Sequence, residues 1–303
     1  METWLNSLIN IPCWSKLKNE DLQAEISLHG AELKRIVSSD NTEYIWNSDP
    51  KYWNRSAPFL FPIVGTLKDK ETYINGELYK MGSHGFLRDN DFVVAYFDKT
   101  KVILRNFYDE NTLTKYPFKY EALITYTLTE KTLVTNVEII NVDEKVMPFN
   151  LGGHPAFNCP MFKGESFGDY SIHFEKEETF ISPFVEENGT LDFDRVGCEY
   201  KELKVLNLKK NLFDIDTIII PNVNSTYVKL LNKEMKGIKF EFEKFSTFAI
   251  WTPYNDAPFV CLEPWIGYND RVKTNKDFLT KDNLIKLEPN TNFNASYKIT
   301  ILD

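Results

Sequence analysis

Four short segments carry the residue types that proton-transfer chemistry on a small polar molecule would need. In Leu151-Gly152-Gly153-His154-Pro155-Ala156-Phe157-Asn158-Cys159, two glycines permit close backbone approach and Pro155 stiffens the chain beyond the imidazole, so His154 reads as presented to a ligand. Ser83-His84-Gly85-Phe86-Leu87-Arg88-Asp89 holds a second histidine beside a glycine. Only four histidines occur in the chain; His29, at the end of an ordinary strand pattern, and His173 read as structural. In Cys261-Leu262-Glu263-Pro264-Trp265-Ile266-Gly267, Glu263 follows the apolar run Phe259-Val260-Cys261-Leu262. Burial there would raise the carboxyl pKa into the range of a base usable near neutrality, and Trp265 could form a stacking wall. The plain alternative for Glu263 is a turn former before proline. The fourth segment runs from Arg55 to Thr66, where Arg55 precedes the proline-bracketed run Ala57-Pro58-Phe59-Leu60-Phe61-Pro62; its guanidinium suits a sugar hydroxyl, a phosphate or a structural carboxylate equally well.

Other chemistries lack their signatures. No H-x-x-x-H spacing and no local Cys/His cluster announces a metal site, so none is expected, although distant residues can converge in space. There is no G-x-x-x-x-G-K-[ST], no strand-borne G-x-G-x-x-G and no G-x-S-x-G, and no cofactor is expected.

The elements that must position these residues are strands. Phe118, Tyr120, Ala122, Ile124, Tyr126 and Leu128 alternate with Lys119, Glu121, Thr125, Thr127 and Thr129; after Glu130-Lys131 the alternation resumes at Leu133, Thr135, Val137 and Ile139. This predicts an antiparallel hairpin with one wet face. Period two recurs at Ala24-Ile26-Leu28, Val102-Leu104, Ile238-Phe240-Phe242, Phe248-Ile250 and Tyr297-Ile299-Ile301. Asn75-Gly76 and Asn188-Gly189 supply residues tolerant of positive φ for hairpin loops, and Lys236-Gly237 marks another bend. Helical periodicity is confined to short pieces after Ser48-Asp49-Pro50 and around Thr280 to Leu287. The pattern predicts an all-β fold, a large antiparallel β-sandwich with few short helices. With no repeat and no linker, residues 19–303 are expected to form one domain, and 1–18, ahead of the first clear pattern, an N-terminal arm.

The chain has 303 residues, 35 Lys and Arg against 44 Asp and Glu, and a formal net charge of -9. That balance disfavours nucleic acid and anionic membranes as partners and leaves a neutral small molecule. The 23 Phe, 15 Tyr and 6 Trp suit strands and stacking on a sugar ring. Cys13, Cys159, Cys198 and Cys261 form no C-x-x-C pair and are expected as reduced thiols. No basic n-region and no membrane-length apolar run occurs, so a cytoplasmic location is expected, as a monomer or homodimer.

With those residues in view, the chain resembles the aldose 1-epimerase (galactose mutarotase) family, in its LacX-type branch. The resemblance spans nearly the whole chain from about Asn19. It rests on APFLFPIVGTL, HGFLRD, GGHPAFNCP, LFDIDTIII and CLEPWIG, in the family's order. It implies the galactose mutarotase-like supersandwich and the interconversion of α and β anomers of a hexose such as galactose or glucose. Residue by residue, it implies that His154 is the general acid to the ring oxygen, Glu263 the general base to the anomeric hydroxyl, and His84 the second histidine near them. Asp216 is similar to the aspartate that holds sugar hydroxyls, with Asp214 two residues away on the same expected strand face. Arg55 lies in a different local motif from the arginine of the better known members, and Thr66 stands where many relatives carry arginine. Phe157 and Trp265 are candidate walls for the apolar sugar face. The chemistry suits these types, since anomerisation takes a proton from O1 and gives one to O5, and the partners exchange roles on reclosure.

Three rivals remain on sequence. A hexose-6-phosphate mutarotase could use Arg55 and Arg88, although Asp89 and Asp91 would partly neutralise Arg88. A glycoside hydrolase or lyase on a similar sandwich could pair Glu263 with Asp216, which leaves His154 without a role. A non-catalytic sugar-binding protein would retain the pocket.

Overall fold

Alternate burial along the strands decides the layers. In the computed structural model, which describes residues 14–303, the strand Tyr120–Thr129 buries Tyr120, Ala122, Ile124, Tyr126 and Leu128 and leaves the residues between them partly wet. It pairs antiparallel with Thr132–Asn141 across the Glu130-Lys131 turn, Thr129 opposite Thr132, as the period-two reading predicts. This hairpin sits within a nine-stranded sheet whose spatial order is Leu191–Asn207, Ser171–Val185, Tyr227–Leu231, Gly237–Glu243, Asn292–Leu302, Thr132–Asn141, Tyr120–Thr129, Lys101–Phe107 and Val93–Phe97.

A six-stranded sheet faces it. Its order is Ile218–Pro221, Thr247–Trp251, Phe259–Ile266, Leu151–Gly153 and Phe59–Leu60, with Ala156–Asn158 also paired to Phe259–Ile266. Rings from the two sheets interdigitate. Phe240 and Phe242 meet Phe248 at centroid distances of 6.4 and 4.8 Å, and Phe240 meets Phe157 at 5.7 Å. Burying such rings supplies about 25 cal/mol per Å² of apolar surface, which makes this interface the main stabilising layer. A three-stranded sheet, Trp14–Lys18, Leu22–Ser27 and Leu33–Ser38, adds Leu17, Ala24 and Ile26 to the same core. It is tied down by the Tyr126 hydroxyl donating to the Ala31 carbonyl at 2.8 Å. The architecture is the all-β antiparallel sandwich expected from sequence.

Three local expectations need correction. Residues 14–18 are not part of an arm: Trp14–Lys18 pairs in register with Leu22–Ser27 and buries Ser15 and Leu17, too few alternations to stand out in sequence. Residues 1–13 of that expected arm lie outside the described residues. No helix forms between Thr280 and Leu287, because Ile285–Leu287 is captured as a strand by Met147–Phe149 and only one 3-10 turn, Phe278–Thr280, precedes it. The residues after Ser48 make a turn only; the α-helix of the described residues is Glu110–Leu113, started by a capping box between Asp109 and Thr112. No helix of the described residues is long and apolar enough to cross a membrane.

Candidate active site

Strand parity builds the floor of the site. Phe259–Ile266 is buried on both faces, and its even-numbered residues Val260, Leu262 and Ile266 join the sandwich core. Cys261, Glu263 and Trp265 therefore project from the opposite face. The register Ala249 opposite Glu263 and Ile219 opposite Ala249 carries that face across the sheet. Ile219, Trp251, Glu263 and Trp265 thus line one cavity of about 410 Å³. Gly152 lies directly across from Trp265. A Cβ there would come within 2.9 Å of the Trp265 ring and 3.0 Å of Leu60, so glycine lets the indole lie flat over the strand.

His154 follows that glycine pair. Its backbone N–H donates to the Pro58 carbonyl at 3.1 Å, its ring stacks on Trp53 at 4.8 Å, and the edge of Trp251 closes the other side at 5.6 Å. His154 is 6% exposed and Glu263 1%. His154 Nε2 stands 3.1 Å from Glu263 Oε2, off the axis of a hydrogen bond, so that Oε2 has no hydrogen-bond partner among the described residues. His84 completes the group, its ring 5.5 Å from that of His154 and edge-on to it. The Gly65 N–H donates to His84 Nδ1 at 3.1 Å, which places the His84 proton on Nε2. Gly65 is required at that turn: its φ is +69°, and Asn269 fills the space a side chain would occupy.

Burial dominates the electrostatics. It holds the Glu263 carboxyl well above its ordinary range, with Asp216 adding to the effect and the Trp265 indole opposing it. It lowers His154 to about 3, assisted by the positive charge of Arg88. His84 is also pushed well below 6.5, by desolvation first and His154 next. Both shifts favour the neutral forms, a protonated carboxyl facing a neutral imidazole, a state isomeric with an imidazolium facing a carboxylate. Arg88 lines the same cavity. Its Nη2 donates to the Ser83 carbonyl at 2.6 Å, and burial, with Arg55, brings its pKa down to about 10, so it remains a cation. Four buried atoms of lining residues have no partner among the described residues: His154 Nδ1, Glu263 Oε2, Trp265 Nε1 and Arg88 Nε. Buried polar atoms are rarely left so, and their convergence marks a surface built to meet a polar ligand.

Five of the seven residues singled out in the sequence come together here: His154, Glu263, His84, Asp216 and Trp265. Asp216, at a bend before Ile218–Pro221 with φ +72°, faces the cavity. Asp214 belongs to the preceding turn and lines a different hollow, with Lys210 and Tyr254, so the shared strand face expected for the two aspartates does not exist. Arg55 is not among the lining residues; it pairs with Asp89 and donates to the Arg88 carbonyl. Phe157 is 0% exposed and packs on Phe240, because strand parity turns it toward the nine-stranded sheet. Asp89 and Asp91, expected to neutralise Arg88, are taken by Arg55 and His29. Sequence reading missed Trp53, Trp251 and the rim Lys70, Ser83, Glu187, Asn188 and Asn269. Trp251 was within reach of an alternation argument, being two residues beyond Ala249 on the Glu263 face; Trp53, in a turn, had no periodic signal. Convergence also brings Cys261 within 4.8 Å of ligand atoms of His154 and Glu263, a metal-capable grouping that local spacing did not reveal.

An antiparallel supersandwich whose smaller sheet presents a histidine and a carboxylate to a polar cavity defines the galactose mutarotase-like class. The chain belongs to the aldose 1-epimerase family, whose model matches residues 15–300. It is 33% identical to the plasmid-borne protein LacX of Lactococcus lactis over 299 residues, 95% of this chain and 99% of that protein. The galactose mutarotase related enzyme of Lactobacillus acidophilus superposes with a TM-score of 0.90 at 29% identity, covering 96% of this chain and 97% of its own. A galactose mutarotase-like protein of Lactobacillus casei gives a TM-score of 0.85 at 30% identity, covering 95% and 99%.

Proposed function

We propose that the protein is a mutarotase that interconverts the α and β anomers of a hexose such as galactose or glucose without a cofactor. The observation that carries this reading is the 3.1 Å approach of His154 Nε2 to Glu263 Oε2 on the wall of a 410 Å³ cavity. That volume lies in the range of small-molecule sites. In this reading the pair shares one proton, which either partner can carry. With the proton on His154, the imidazolium protonates the ring oxygen while the Glu263 carboxylate takes the anomeric proton; the ring opens, the C1–C2 bond turns, and the reverse transfers close the other anomer. His84, protonated on Nε2, donates a hydrogen bond beside the reacting oxygens. Asp216 accepts from sugar hydroxyls, and Trp265 and Trp251 provide the apolar walls. The three cysteines of the described residues, Cys159, Cys198 and Cys261, are free thiols, which suits a cytoplasmic setting.

Polarimetry of fresh α-galactose and α-glucose tests the reading. The protein should accelerate the approach to equilibrium, and His154→Ala should remove about 10²- to 10⁴-fold of that acceleration. A wild-type rate equal to the buffer rate for every aldose tried refutes it.

A second reading, a sugar 6-phosphate as substrate, is favoured by Arg88, a cation with no carboxylate partner among the described residues, and by Lys70 at the rim. Galactose 6-phosphate and glucose 6-phosphate in the same assay decide it: a higher kcat/KM than for the free sugars supports the phosphate.

A further inference from the structure

We propose that the edge of this cavity is also a binding site for a thiophilic divalent cation of the Zn²⁺ type, held by His154 and Glu263, which line the cavity, and by Cys261, which is buried next to them. Among the described residues, one ligand atom from each lies within 4.8 Å of the others. The arrangement follows from the fold. Cys261 and Glu263 are two residues apart on one strand and so share a face, and the chain leaving Leu151–Gly153, paired to the same strand, delivers His154 above them.

The bland account of Cys261 is a small apolar residue packed with Trp46, Ala156 and Phe259. It explains the burial of the thiol. It leaves unexplained why a nine-tenths-buried neighbour, Glu263, carries an unpartnered oxygen, Oε2, beside it. One imidazole, one thiolate and one carboxylate form a borderline-soft donor set suited to four-coordinate Zn²⁺, with the fourth position turned to the cavity. Ligand atoms about 3.3–3.8 Å apart are needed around such an ion, as its 2.0–2.3 Å bonds dictate, so small side-chain rotations suffice. Coordination expels two protons to solvent, one from the Cys261 thiol and the one held by the His154–Glu263 pair, and the two anionic ligands then balance the dication despite the nearby Arg88. Mg²⁺ and Ca²⁺ find one carboxylate where they require six or more oxygens, so the site discriminates against them. A cation held there occupies the nitrogen and oxygen that move the sugar's protons, making it an inhibitor. The inhibition rests on the mutarotase reading, whereas the binding does not.

Co²⁺ and Zn²⁺ are the probes. Added to the metal-free full chain, Co²⁺ should give the thiolate-to-metal charge-transfer band and the strong visible bands of a tetrahedral site at one equivalent. Calorimetry should show one Zn²⁺ bound per chain and no competition from Mg²⁺. Cys261→Ala should lose the charge-transfer band and at least tenfold in Zn²⁺ affinity; Cys261→Val, which preserves the packing, should behave alike, with thermal unfolding checking that both fold. Absence of one-equivalent uptake, or a band that persists in both variants, overturns the proposal. A protein that binds Co²⁺ through Cys261 but shows no mutarotation upholds the cation site and removes the mutarotase reading; an active protein that neither binds nor is inhibited by Zn²⁺ does the reverse.

Discussion

Replacing Glu263 by glutamine separates two protonation states of the His154–Glu263 pair. In the neutral state, burial keeps the folded carboxyl protonated well above its ordinary range, whereas the unfolded chain ionises it near 4.5. Above that pH the folded chain binds more protons than the unfolded one, so this group lowers stability as pH rises. Each pH unit counts for about 1.4 kcal/mol. Between 4.5 and 7 the ceiling is therefore about 3 kcal/mol, reached where the folded carboxyl stays protonated throughout. Glutamine keeps the shape and removes the titration. Glu263→Gln is expected to be more stable than wild type at pH 7, by a margin that grows with pH and vanishes near pH 4, while losing about 10²- to 10⁴-fold in mutarotation. Urea unfolding followed by tryptophan fluorescence, at several pH values between 4 and 8, measures the margin. A variant less stable than wild type at neutral pH, with a deficit that shrinks toward acid, would show Glu263 ionised against a protonated His154. That result would refute the neutral-pair assignment.

Further outcomes follow from the same geometry. A second proton on the pair must go to an imidazole lowered to about 3; kcat/KM, corrected for buffer catalysis, should therefore stay flat across pH 6.5, and an inflection there would mean an independent, solvated imidazole. Gly152→Ala forces a methyl against Trp265 and Leu60 and should cost about 1–3 kcal/mol in urea unfolding; an unchanged midpoint would show that the indole does not lie over the strand. Phe157→Ala should cost about 3–5 kcal/mol of stability with KM unchanged, since the ring belongs to the core; a raised KM at full stability would return it to the site. Arg88→Met should raise KM several-fold, and far more for a 6-phosphate than for the free sugar if the phosphate reading holds; initial-rate polarimetry checks both.

Strand alternation carried most of the fold. Hairpins such as Tyr120–Thr129 with Thr132–Asn141 announce themselves because one face is wet and the other dry. The failures lie where tertiary capture overrides local pattern: Ile285–Leu287 becomes a strand only because Met147–Phe149 offers an edge, and Trp14–Lys18 only because Leu22–Ser27 does. At the site, His154, His84 and Glu263 were legible because glycine, proline and an apolar run set them apart in the chain. Arg55 and Phe157 were misplaced for a common reason. Proximity in sequence to a reactive residue says nothing about which way a side chain faces, and Phe157 turns to the opposite sheet while Arg55 pairs with Asp89.

The amino-acid order by itself determined the all-β class, the resemblance to the sugar epimerases and the identity of the acid–base candidates, since these depend on residue type and on periods of a few residues. Tertiary structure alone decided that Asp216 and not Asp214 faces the cavity, that Arg88 makes no ion pair among the described residues, and that Cys261 lies against the His154–Glu263 pair. Register between strands distant in sequence sets those contacts, and a single chain carries no local signal for it.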